Sequence, residues 1–157
     1  MNGEVMKIEN KIRQLGYTLP QSSPAGAIYT PVRRVGNTLY VSGQIPWLDG
    51  QVKYSGKVGS ERDVKYGQEA ARLCILNMLA AVKNAIGDLD KVKQVVKLTV
   101  MVSSETGFDK QHLVANGASQ LLVDIFGPDG CAARTAMGVN QLPMDVTVEI
   151  EGIIEVE

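Results

Sequence analysis

Histidine is nearly missing from this 157-residue chain, where His112 stands alone, and cysteine occurs only twice, at Cys74 and Cys131. One imidazole excludes a ribonuclease site of the histidine-pair type, which needs an acid and a base that both titrate near neutrality. The cysteines have no CxxC or other ligand spacing, so neither a disulfide framework nor a zinc site is expected. An excess of one charge is also lacking: 16 Lys and Arg meet 17 Asp and Glu, and a formal charge of -1 builds no field to gather polyanions. Arg33 and Arg34 are too small a basic patch for a nucleic-acid footprint, and Trp47 with a few tyrosines gives little for bases to stack on. No uninterrupted run of about 18 apolar residues occurs, and the first thirty residues hold no apolar run of signal-peptide length. A cytoplasmic protein without a membrane partner is expected. Phosphate-loop and dinucleotide patterns are absent, since GNTLYVSGQ and GQVKYSGKVG lack their spacings, and no metal-ligand cluster occurs.

What is present is apolar material for one sizeable core, 45% of the residues. One domain over residues 1–157 is expected, with 1–24 an N-terminal extension and loop. Gly3 to Leu15 has the pattern of a short helix, and Pro20, Ser22, Ser23, Pro24 and Gly26 make a loop. NTLYVSGQIP alternates Leu39, Val41 and Gly43 against Tyr40, Ser42 and Gln44, a strand ended by Pro46, and QVKYSGKVG reads as a second strand or hairpin arm. From Glu61 to Ile86 apolar residues recur at helical spacing (Ala70, Leu73, Cys74, Met78, Ala81, Val82, Ala85, Ile86), and Gly87 stops the helix. VVKLTVMVS is a β-branched central strand, and Phe108 to Phe126 is a second helix with Leu113, Val114, Ala118, Leu121, Leu122 and Ile125 inward. AARTAMGVNQL and DVTVEIEGIIEVE close the chain as two strands joined at Pro143. The order predicts an α+β domain with helices on one face of a mixed sheet.

Two features carry chemistry. In the last strand Val146, Val148, Ile150, Gly152 and Ile154 share one face, while Thr147, Glu149, Glu151 and Ile153 share the other. If helices cover the apolar face, the glutamates either meet water or line an interface. In GCAARTAMG, Arg134 sits among small neutral residues with no carboxylate within three positions. A hairpin through NQLPMD would bring its strand beside that of Glu149. The guanidinium then either makes a weak surface ion pair or waits for a ligand carboxylate to enter its bidentate fork.

Four blocks, GNTLYVSGQIP, AARLCILNMLAAV, LDKVKQVVKLTVMVS and AARTAMGVNQLPMDVTVEIEGI, stand in an order and spacing that resembles the RidA/YjgF family of reactive-intermediate deaminases, from about Ala25 to Val156. The resemblance implies a chorismate mutase-like (YjgF-like) α+β fold, with two long helices packed on one face of a mixed sheet. It also implies a homotrimer with sites in clefts between subunits, and hydrolysis of small 2-imino or enamino acids to 2-keto acids and ammonia without cofactor or metal. Matched position by position, Arg134 is the carboxylate-gripping arginine and Glu149 the acid that positions or activates water. Tyr29 in YTPVRRVGN, Gly43 in the SGQ turn, Asn116 on the second helix and the main chain of Ala136 would bind substrate. Thr135 and Ala136 stand where serine and cysteine are common in the family, and the chain has a longer lead and extra residues before Asn116, as in a longer subgroup. A small carboxylate-bearing imine or keto acid is the implied partner. A non-catalytic trimer that binds small carboxylates as a sensor, or the endoribonuclease activity often attached to the family, would be the alternatives.

Overall fold

The computed structural model describes residues 6–22 and 25–157. A first helix, α1 (Lys7–Gln14), precedes β1 (Val32–Val35), β2 (Thr38–Gln44), β3 (Trp47–Leu48) and β4 (Gln51–Val52). The long helix α2 (Val64–Ile86) leads to β5 (Val92–Ser103), and helix α3 (Gln111–Phe126) is followed by β6 (Ala133–Val139) and β7 (Val148–Val156). The expectation of a helix from Gly3 is met from Lys7 onward, residues 1–5 lying outside those described. QVKYSGKVG yields only β4, which pairs with β3 as a two-residue arm.

The sheet order is β1-β2-β7-β5-β6, and every pairing is antiparallel except β5 with β6. This corrects the expected hairpin between the last two strands: β6 and β7 are not neighbours, because β5 lies between them. The β5–α3–β6 stretch is a crossover that delivers β6 parallel to β5, and such a connection needs an intervening helix. The short turn Pro143–Asp145 then carries the chain back across the end of β5, with Met144 and Asp145 in the left-handed region at φ 56° and 57°.

Helix α2 packs against β1, β2 and β7, and α3 against β5 and β6. Leu39, Leu98, Val100, Ile150 and Ile154 from the strands meet Ile75, Met78, Leu79 and Leu122 from the helices in one fully buried core. Each such side chain contributes about 1.5–3 kcal/mol by leaving water. Asp63 caps α2 by accepting from the Tyr66 N–H at 2.8 Å, which is why the helix begins at Val64 and not at Glu61. Ala85 and Leu113, expected inside, are exposed: Ala85 lies in the last turn of α2 and Leu113 in the first turn of α3, where Val114 takes the inward position.

The two helices approach closely at glycines. A Cβ on Gly117 would lie 2.5 Å from the Gln68 carbonyl oxygen, and one on Gly67 would lie 2.9 Å from a Val114 methyl. The resulting depth of α3 sets where its polar residues stand over β6. At the other end of the layer α1 is held by Asp90, whose carboxylate accepts from the Lys7 and Ile8 amides at 3.0 and 2.8 Å, and by an ion pair between buried Glu9 and Lys83.

Candidate functional site

Alternation along the central strands decides which candidate side chains can meet. On β5, Leu98 is opposite both Arg134 of β6 and Gly152 of β7, while Met101 is opposite both Met137 and Glu149. Directly opposed residues share a face, and positions 98 and 101 have opposite parity. Arg134 therefore faces the helices, and Glu149 faces the uncovered side of the sheet. Two chemical groups expected to cooperate lie on opposite faces of one sheet.

The guanidinium of Arg134 meets α3. Its Nη1 donates to Asn116 Oδ1 at 2.8 Å and to Ser119 Oγ at 3.0 Å, and its Nη2 donates to the His112 carbonyl at 3.3 Å. All three acceptors are neutral. Among the described residues the ion pair within the 4.0 Å limit is Lys83 with Glu9, so no carboxylate neutralises Arg134. His112, Asn116 and Ser119 stand at i, i+4 and i+7, one stripe of a helix. Ser119 escaped the sequence reading, although this spacing was its signal. His112 takes part through its main chain and not through its imidazole. Ala136 follows two positions along β6 on the same face, packed against the core. Since β6 pairs only with β5, the outer edge of its backbone has no strand partner among the described residues.

Glu149 belongs to a second group. Between the pairs Val41/Gly152 and Gln44/Ile150, Ser42 and Gly43 together oppose the single residue Glu151, which is a β-bulge. The bulge reverses the alternation, so Gly43 lies on the open side with Glu149 and not on the buried face with Leu39 and Val41, as strict alternation suggested. A Cβ at position 43 would fall 3.0 Å from Cδ and 3.2 Å from Cγ of Glu149 and collide with Oε1. Glu149 is half-buried, and its carboxyl is held above the ordinary glutamate range, first by burial and then by the neighbouring charge of Glu151. Gly43 also lines a cleft of about 430 Å³ with Tyr29, Pro31, Trp47, Asn77 and Met144, a volume suited to a small molecule. Asn77 fixes the cleft wall by donating to the carbonyls of Ile45 and Trp47 at 2.9 and 2.8 Å. A wider hollow of about 740 Å³, between the N-terminal ends of α2 and α3, touches none of the six candidate residues.

The open sheet face carries Tyr40, Ile153, Met101 and Met137 beside Glu149 and Glu151. Tyr40 and Met137 are 49% and 39% exposed. Thr147, expected on this face, is fully buried because the segment after β4 crosses it: the Thr147 amide donates to the Tyr54 carbonyl at 3.2 Å. The thiol of Cys74, buried under the sheet, is pushed well above its ordinary range by burial and then by Glu149, and it donates to the Val148 carbonyl at 3.4 Å; Cys131 is exposed. Among the described residues no group of three or more His, Cys, Asp and Glu could hold a metal ion, and no helix is long and apolar enough to cross a membrane.

A mixed five-stranded sheet with two long helices on one face, an edge-strand arginine held by neutral acceptors and a half-buried glutamate on its bare face defines a YjgF-like α+β protein. The family described as "YjgF/chorismate mutase-like, putative endoribonuclease" matches residues 9–152. The chain belongs to this YjgF/RidA family. It is 40% identical over 150 residues to Protein TCP17 of Trypanosoma cruzi, covering 95% of this chain and 94% of that one. A RutC family protein of Pyrococcus abyssi is 30% identical over 141 residues, covering 90% and 95%. The crystal structure of Atu1372 from Agrobacterium tumefaciens superposes with a TM-score of 0.89 at 45% identity, over 96% of this chain and 94% of that one.

Proposed function

We propose that the protein is a hydrolytic deaminase of small 2-imino and enamino acids, and that two copies contribute to each site within a homotrimer. One copy supplies Arg134, Asn116 and the Ala136 main chain; the next supplies Glu149, Gly43 and Tyr29. The observation that carries this reading is the Arg134 guanidinium held only by neutral acceptors. A cation so placed is matched by an anion from outside, and a planar fork suits a carboxylate. The opposite facing of Arg134 and Glu149 supports a site built between copies, as do the exposed apolar side chains Tyr40 and Met137 on the uncovered sheet.

In this mechanism Arg134 fixes the substrate carboxylate so that the imine carbon is presented to a water beside Glu149. The carboxylate of Glu149 accepts a proton as the water oxygen bonds to that carbon, and the C=N bond becomes a C–N single bond. Protons then pass to the nitrogen, the C–N bond breaks, and ammonia and a 2-keto acid leave. One water is consumed and nothing is oxidised. Because an imine carbon is already electrophilic, orientation supplies most of the gain. Proton transfer adds roughly a hundred- to ten-thousand-fold. A raised carboxyl affinity for protons makes Glu149 a better proton acceptor.

The test is an oxidase-coupled assay: an amino-acid oxidase generates imines of different side chains, and their decay is timed with and without the protein. Accelerated decay supports the reading, and unchanged decay for every imine overturns it. A single copy holds the anion grip without the glutamate, which favours one second reading, a trimer that binds small carboxylates as a sensor. Binding of 2-ketobutyrate with no effect on imine decay would select it.

A further inference from the structure

Arg134 has five N–H donors, one on Nε and two on each terminal nitrogen. Both hydrogens of Nη1 are engaged, by Asn116 Oδ1 and Ser119 Oγ, and one of Nη2 is engaged by the His112 carbonyl. Nε and Nη2 lie along one edge of the guanidinium plane, its side-on fork, and Nε has no hydrogen-bond partner among the described residues. The Nη1 side of the group is occupied by α3. We infer that Ser119 is a positioning residue that, with Asn116, fixes the rotation of the guanidinium and dedicates its Nε/Nη2 edge to an incoming carboxylate.

The argument for Ser119 in particular is geometric. Without Ser119 the guanidinium is held by the exposed Asn116 bond and the long 3.3 Å bond to the His112 carbonyl, which leave it room to swing on its flexible stem. The second acceptor, one helical turn further along α3, holds Nη1 from another direction and removes that swing. Ser119 is half-buried where Asn116 is exposed, so its bond is the less solvent-competed of the two. Its depth follows from the contact of Gly117 with Gln68 described above. The consequence is selectivity for planar carboxylates, because only a two-oxygen anion uses both remaining donors.

The inference rests on the reading that Arg134 binds a substrate carboxylate, and binding can be measured without turnover. Calorimetric titration with 2-ketobutyrate, and with 2-oxobutanamide as the carboxamide control, is run on wild type, Ser119→Ala and Ser119→Thr. Losing one bond that orients the guanidinium, rather than a bond to the ligand itself, should weaken 2-ketobutyrate binding roughly three- to tenfold in Ser119→Ala. Ser119→Thr, which keeps the hydroxyl, should restore it to within about twofold. Carboxamide binding should not differ among the three. In the oxidase-coupled assay KM should rise by the same factor while kcat stays within about twofold, since the water-activating half is untouched. Unchanged 2-ketobutyrate affinity in Ser119→Ala overturns the inference, and so does equal weakening in Ala and Thr variants, which would mark a packing effect. Wild-type protein that binds 2-ketobutyrate but leaves imine decay unaltered overturns only the deaminase reading. Wild-type protein that does not bind it overturns both.

Discussion

Gly43 and Glu149 are matched by the absence of a side chain: the glutamate side chain lies over the α-carbon of Gly43 in the space that any Cβ there would occupy. The β-bulge that turns Gly43 toward the open face is therefore a cradle for a carboxyl group as much as an irregularity of the ladder. Gly43→Ala should push Glu149 aside while leaving the core intact. The expected result is a loss of imine hydrolysis on the order of a hundredfold, in line with a displacement of about 1 Å at a catalytic group. The melting temperature should fall by only a few degrees, and the two readings together, kcat/KM and thermal melting, check it.

Because burial and Glu151 raise the proton affinity of Glu149, activity that needs the carboxylate should fall in acid earlier than for an ordinary glutamate. Glu151→Gln should move the acid limb of the kcat/KM profile to lower pH. The stability consequence has the opposite sense from an ion-paired acid. A folded-state pKa above the unfolded one favours folding below the unfolded range, about 4.3, and that contribution is lost as pH rises through the folded value. Glu149→Gln should therefore be more stable than wild type at neutral pH, with the difference vanishing in acid. Denaturant midpoints across pH measure it.

Arg134→Lys retains the charge and discards the fork. We expect kcat/KM for imino acids to drop by about a hundredfold or more, because a point charge loses both the bidentate grip and the contacts to Asn116 and Ser119. Secondary structure by circular dichroism should be unchanged, and Arg134→Ala should abolish turnover with the same fold.

Gly117→Ala tests the helix contact instead of the chemistry. The new methyl would press on the backbone of Gln68, 2.5 Å from its oxygen and 2.7 Å from its Cα. Overpacking of this kind costs about 1–3 kcal/mol, readable in a denaturant titration. Relief by lifting α3 would carry Asn116 and Ser119 away from Arg134, so keto-acid affinity should fall as well.

Much of this architecture could be read from periodicity. The stripes of α2 and α3 and the alternation of Val148, Ile150 and Ile154 against Glu149 and Glu151 require only that apolar surface be buried. Three things could not be read that way. The bulge at Ser42 and Gly43 is set by pairing with β7, more than a hundred residues away, and nothing in the strand itself announces a change of parity. The placement of β6 is hidden because a short linker through Pro143 favours a hairpin between sequential strands, whereas the α3 crossover commits β6 to the far side of β5. The opposite facing of Arg134 and Glu149 follows from that placement, and no local pattern records it. Ser119 is a different case, legible in the stripe it shares with His112 and Asn116 and passed over because serine is so often just a polar surface residue.

The central position of β7 has a further consequence for biosynthesis. Until Val148–Val156 has left the ribosome, the two parts of the large sheet, β1 with β2 and β5 with β6, cannot be joined, and each keeps an open margin where the missing strand belongs. A two-stranded ribbon alone, such as β1 with β2, is marginal at best, so the sheet is completed only by the nine residues of β7. Those same residues bring Glu149, and a polypeptide halted before them would be a candidate for chaperone capture.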